Sequence, residues 1–257
     1  RIRESLVKAN NLDAANEVNN ALIGTVNSIG GRSLQKFAYE AGESPSLEVL
    51  DEVTAKYLIK ELIGSDTTTG FLKLADRLSQ AWSFGAKDDL WLSDVIAIIQ
   101  KSRANYLDVD KFDEFKDRSI EGYFSYFSKV DEKAEKCAIE ALKGYIPTIL
   151  DELKEGIEST AKTHFYYKLV LNAYNTLEKD EQIPWKEWKD LSSSVPAVAY
   201  KHISENIKEY ARGHLTFKSL HQDIKDYISQ TFEIAKKVMS RYEEYKKERG
   251  LIDFTDQ

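Results

Sequence analysis

The chain is poor in the residues that punctuate or staple a fold. It has 12 glycines and 4 prolines in 257 residues. All-β folds need many turns, and this chain lacks the residues that make them. One cysteine, Cys137, can build neither a disulfide framework nor a multi-cysteine zinc site. Its scarcity is compatible with a reducing cytoplasm, the expected compartment. No apolar run approaches the roughly 18–20 residues of a membrane span, so no membrane partner is expected. The sequence opens on Arg1, and its only methionine is Met239. The simplest expectation is a domain cut from a longer protein, with no signal peptide at this start.

Catalytic motifs are scarce as well. No G-x-x-x-x-G-K-[ST] run occurs, so no loop of this sequence is expected to wrap a phosphate with backbone N–H groups. Gly30-Gly31-Arg32-Ser33 is the nearest approach and a poor match. There is no G-x-G-x-x-G and no G-x-S-x-G. His164, His202, His214 and His221 are scattered, and no paired acid motif accompanies them. Core or surface histidines are expected, with no metal and no bound cofactor in this chain. A self-contained metal or hydrolytic enzyme is the least favoured class, because nothing converges into a site.

What is present is a packed, charged, helix-forming chain. Hydrophobic residues make up 42% and charged residues 31%, which is not a disordered composition. The net charge of −7 weighs against a free-standing nucleic-acid binder but leaves room for local basic faces. The short apolar run at 21–26 reads as a buried strand, the best strand candidate in the chain. Asn27 and Ser28 are caps for the next helix, which turns Leu34, Phe37, Ala38 and Ala41 inward and stops near Gly42. Pro45 breaks the chain again. Asp51 caps a helix over 52–63, with Gly64 as its stop.

The polar stretch at 65–70 is the clearest internal seam. After it, apolar spacing predicts helices over 71–84, 90–105, 112–127, 131–157, 163–177, 196–212 and 217–249, with a short tryptophan segment at 185–188. Gly144 and Pro147 are expected to kink or split the fourth of these. Gly250 ends the last one. Trp91 reads as core, whereas Trp185 and Trp188 could equally be core or exposed stacking surfaces, and Trp82 completes the set of four tryptophans. The basic run Lys236, Lys237, Arg241, Lys246, Lys247 and Arg249 has two readings. It is either favourable charge at a helix end, paired with Glu243 and Glu244, or a phosphate-contacting face.

Two stretches resemble one family, in the right order. The first is Gly24-Thr25-Val26-Asn27-Ser28, then Leu34 and Phe37, then Leu47-Glu48-Val49-Leu50-Asp51-Glu52. The second is YEEYKKERGLIDFTD at 242–256. Together they resemble UvrD-like superfamily 1 DNA helicases, closest in look to the RecB and AddA helicase-nucleases. Trp91-Leu92-Ser93-Asp94-Val95 and Arg103-Ala104-Asn105 resemble the same proteins more faintly.

The resemblance implies a mainly α chain. Residues 1–50 would be the edge of the first RecA-like motor domain, with its short strand. Residues 51–250 would be the helical accessory insert, the 1B-like domain, and 251–257 the return to the motor. ATP and magnesium would belong to the rest of the protein, whose phosphate loop would precede Arg1.

The implied partners are single-stranded DNA, a duplex junction, the remainder of the motor and a second nuclease subunit. The implied DNA contacts are Thr25, Asn27, Ser28 and Arg32, with Lys246 and Lys247 as further candidates. Asn27 stands where the family has histidine; it can donate a hydrogen bond but cannot stack as a ring or titrate. Asp253 and Phe254 read as a cap and a core anchor. The competing class is a helical scaffold or protein-interaction module without motor function.

Overall fold

The computed structural model describes residues 1–18, 21, 23–42, 48–79, 89–157 and 160–256, apart from the side chains of Asn27 and Ala41. Leu22, Pro45, Leu47, Trp82 and Phe84, all used in the sequence reading, lie outside the described residues. The helices are α1 (Ile2–Lys8), α2 (Leu12–Glu17), α3 (Val26–Lys36), α4 (Ala38–Ala41), α5 (Glu52–Asp66), α6 (Thr69–Arg77) and α7 (Leu90–Ala104). They continue as α8 (Phe112–Phe124), α9 (Ala134–Gly156), α10 (Ala161–Glu178), α11 (Trp185–Ser193), α12 (Lys201–Arg212) and α13 (Lys218–Arg249). Among the described residues two strands, β1 (Glu48–Val49) and β2 (Leu251–Ile252), pair in parallel. The chain is mainly α, as its scarcity of turn residues predicts.

Contacts divide the chain into two units. The first comprises Arg1–Ser65, Lys101–Leu107 and Lys237–Gln257. The second comprises Asp66–Gln100 and Asp108–Lys236.

In the first unit the strand is not where the sequence reading puts it. Among the described residues of 21–26 none is in a strand, and Ile23 and Val26 are exposed. The reason is local. Thr25 adopts an extended cap conformation and its hydroxyl accepts the Ser28 N–H at 3.3 Å, so Val26 begins α3. The cap is therefore Thr25, not Asn27 or Ser28. The real strand is β1. Its partner is β2, with Glu48 opposite Leu251 and Val49 opposite Ile252. Glu48 N–H donates to Gly250 O at 3.0 Å, and Leu50 N–H to Ile252 O at 2.7 Å. Gly42 and Gly250, with φ of 74° and 63°, both adopt the left-handed conformation that ends a helix.

Asp51 caps α5 as expected. Its carboxylate accepts the N–H groups of Val53 and Thr54 and the Thr54 hydroxyl. These bonds, the Thr54 hydroxyl first, hold the carboxyl below its ordinary value. Gly64 does not stop the helix, which runs on to Asp66. Burial of Ile59 and Ile63 outweighs the roughly 1 kcal/mol that a helical glycine costs. Of the polar stretch at 65–70 only Thr67 and Thr68 lie outside helices, and Thr68 caps α6 by accepting the Phe71 N–H at 3.1 Å.

The second unit is a helical body with its core between α9, α10, α11, α12 and the start of α13. Leu142, Ile146, Leu153, Tyr166, Val170, Leu191, Ile203 and Ile207 are fully buried there. Pro147 does not split α9. It removes one backbone donor, but Ile146, Ile149 and Leu150 are buried on either side of it and hold the turn. Gly156 lies directly beneath the Tyr200 ring, so a side chain there has no room. Trp91, Trp185 and Trp188 are all core residues. The Trp185 indole donates to Asp223 at 2.8 Å, and Asp223 also takes both arms of the Arg77 guanidinium.

Candidate nucleic-acid interface

The residues expected to touch DNA fall in two places in the first unit. The first is the start of α3. Gly24 precedes the Thr25 cap, and a Cβ at Gly24 would meet the Ser28 hydroxyl oxygen at 2.7 Å and the Ser28 Cβ at 3.1 Å. The glycine thus lets the chain pass close over the first helical turn. Ser28 and Arg32 follow at steps of three and four from Thr25, which puts the three on one face. All three are exposed, and Arg32 has no ion-pair partner among the described residues. The Asn27 backbone belongs to the first turn; its side chain lies outside the described residues. Gly30 and Gly31 are helical, so their N–H groups are not arranged as a phosphate loop.

The second place is the end of α13, and it is built differently. Lys246 is buried, its side chain only 4% exposed. Its ammonium bonds both oxygens of Asp256, at 2.8 and 2.7 Å, and Glu243 at 2.9 Å. Lys247 is exposed and has no ion-pair partner among the described residues. The stretches 25–32 and 246–247 share a unit but are held by separate sets of bonds. Of the other basic residues, Lys236 pairs with Asp113 at 3.3 Å, Arg241 donates to the Ser65 hydroxyl at 2.8 Å, and Arg249 lies over the Tyr245 ring.

Asp253 organises the end of α13. The Tyr242 hydroxyl donates to its Oδ2 at 2.7 Å and Arg103 donates to the same atom at 2.6 Å. Its Oδ1 accepts the Thr255 N–H at 2.9 Å, closing the turn after β2. Asp256 accepts the Asp253 N–H at 2.7 Å. Arg103 also reaches Asp256 at 3.4 Å and Glu243 at 3.5 Å. Both Arg103 and Lys246 lie over the Tyr242 ring, at 4.9 and 5.0 Å from its centre.

Burial opposes the charge on Asp253. The Tyr242 hydroxyl and the two cations outweigh it and hold the carboxyl below the ordinary aspartate value. Burial works against the Arg103 charge too, but Asp253 raises it above the usual arginine value. Burial and the bond to Asp253 push the Tyr242 phenol upward.

Asp253 thus closes a turn rather than capping a helix, and it is the hub of a buried ion cluster. Phe254 is 49% exposed rather than a core anchor. Sequence reasoning missed Arg103, Tyr242 and Asp256 as a constellation. The only signal was chemical: Arg103 is a helix-end arginine, and Asp253 and Asp256 are two acids three apart.

The histidines are core or surface groups. His221 is buried and bonds Leu215 O at 2.8 Å, while His214 bonds Ala211 O at 2.9 Å. No group of three or more metal-ligating residues occurs among the described residues. No described helix is long and apolar enough to cross a membrane.

The fold and these two sites define a helical chain whose distant segments 48–49 and 251–252 meet in a parallel strand pair. The family model for the UvrD/REP helicase N-terminal domain matches residues 1–257, and the chain belongs to that family. No curated protein matches it.

Proposed function

We propose that this chain is the DNA-guiding part of an ATP-dependent DNA helicase, of the RecB or AddA helicase-exonuclease kind, acting in cytoplasmic DNA repair and recombination. Thr25, Asn27, Ser28 and Arg32 contact single-stranded DNA at the start of α3. Lys247 adds a phosphate contact, and Lys246 anchors the segment that carries it. ATP and magnesium bind elsewhere in the protein, on the remainder of the motor. A duplex junction and a second nuclease subunit are the further partners of this reading.

The observation that carries it is the exposed face of Thr25, Ser28 and Arg32 on the first turns of α3. A hydroxyl cap, a helix N-terminus and an exposed guanidinium in line suit a phosphate backbone. The strand pair supports the motor-edge assignment of 1–50 and 251–257. A parallel pair of two residues per strand is too small to stand alone, and parallel sheets are normally larger and covered on both faces. The helices from α5 to α13 then form the 1B-like insert at 51–250.

The test is fluorescence anisotropy with labelled single-stranded DNA over a salt series. Binding should weaken steeply with salt and fall further in Arg32→Glu and Lys247→Glu. Equal binding by these variants and the wild type overturns the assignment, as does ATP turnover by the pure chain.

A further inference from the structure

The second unit holds a cavity of about 680 Å³, within the range of small-molecule sites. Its walls are apolar and aromatic: Tyr123, Phe127, Trp185, Leu220, Ile224 and Tyr227. The polar groups at it are few. They are the Asp94 carboxylate, the Ser79 hydroxyl, the His214 imidazole and, from exposed positions on α11, the Lys186 and Lys189 ammonium groups.

We propose that this cavity takes a base of single-stranded DNA, with the adjoining phosphates on Lys186 and Lys189. The inference rests on the DNA-guiding reading and adds a second contact, in the helical insert. Each part of a nucleotide finds its chemistry. A base offers flat π-faces, and Tyr123 is half exposed beside the opening, where it can stack. A base edge also carries N–H donors. The Tyr227 hydroxyl donates to Asp94 Oδ2 at 2.7 Å, which fixes the carboxylate and leaves Oδ1 without a partner among the described residues. The phosphates need cations. Lys189 has no ion-pair partner among the described residues, and Lys186 has only a 3.7 Å contact with Asp190. In a chain of net charge −7, two lysines at the rim of an aromatic cavity mark where an anion is drawn. An acyl chain fits less well, because it would bury the Asp94 carboxylate against hydrocarbon with nothing to donate to it.

The experiment uses the full chain and a short mixed-sequence oligodeoxynucleotide carrying 5-iododeoxyuridine, cross-linked by light and mapped by mass spectrometry. Cross-links are expected on Tyr123, Trp185 or Tyr227. Lys186→Glu with Lys189→Glu, both on the exposed side of α11, should weaken binding at least about fivefold, and so should Tyr123→Ala. Circular dichroism checks that the variants stay folded. Cross-links confined to 24–32 and 247, with binding unchanged in the lysine pair variant, overturn the cavity and leave the DNA reading standing. Cross-links in the cavity with binding unchanged in Arg32→Glu sustain the cavity and overturn the α3 interface. A chain that takes no DNA at low salt overturns both.

Discussion

The Tyr242 hydroxyl donates to Asp253 at 2.7 Å, tying the end of α13 to the turn that follows β2. The ring of the same tyrosine lies under Arg103 and Lys246, which balance the carboxylates. Tyr242 therefore serves the cluster with both its hydroxyl and its face.

Tyr242→Phe should keep the ring and lose one hydrogen bond to a charged, buried acceptor, a loss of about 1.5–3 kcal/mol. Arg103→Ala should cost more, about 3–5 kcal/mol, because it leaves Asp253 buried beside too little positive charge. Urea unfolding of both variants gives the order. A double-mutant cycle of Arg103→Ala with Asp253→Asn should show strong coupling, whereas additive losses would mean the pair is inert.

The cluster also sets a pH dependence. The Asp253 carboxyl lies lower in the folded chain than its ordinary value, so the unfolded chain binds the proton more tightly. Its contribution is complete above the ordinary aspartate value of about 3.9 and is lost as pH falls from there through the folded value. Acid titration of stability should therefore steepen below about pH 4, and Asp253→Asn should flatten that limb.

Thr25 separates cap from contact. Thr25→Ser keeps the hydroxyl that accepts the Ser28 N–H, so α3 and DNA affinity should both survive. Thr25→Val removes it at about 1 kcal/mol of helix stability and should reduce DNA affinity as well. Hydrogen exchange of the Ser28 amide reports the first effect and anisotropy the second. Equal affinity in the two variants would make Thr25 a cap and nothing more.

Gly156→Ala should destabilise the second unit by about 1–3 kcal/mol, since the new methyl group meets the Tyr200 ring. Adding Tyr200→Ser should recover part of that loss in thermal melts. No recovery would place the strain elsewhere.

A helix after the apolar run at 21–26 was legible in the sequence but its start was not: Asn27 and Ser28 look like the caps, whereas the Thr25 hydroxyl fills that role. Thr25, Ser28 and Arg32 are spaced for one face. Nor was the strand pair legible. The run at 21–26 is apolar enough for a strand, yet Thr25 and the close fit of Gly24 on Ser28 begin a helix there. The pairing of Glu48-Val49 was hidden, because its partner β2 comes after the whole of α5 to α13. The position of Lys246 was equally hidden. A lysine in the last turn of a charged helix reads as solvated, and only the return of Asp253 and Asp256 encloses it.

The sequence by itself determined the helices and most of their ends. Helical hydrogen bonds join residues four apart, and the caps at Thr25, Asp51, Thr68 and Thr160 act within three residues, so both are written in short stretches. Only the tertiary structure decided the strand pair, the Arg103–Asp253 ion pair and the aromatic cavity. Each joins residues far apart in the chain. Their meeting depends on the path of everything between them, which no local pattern encodes.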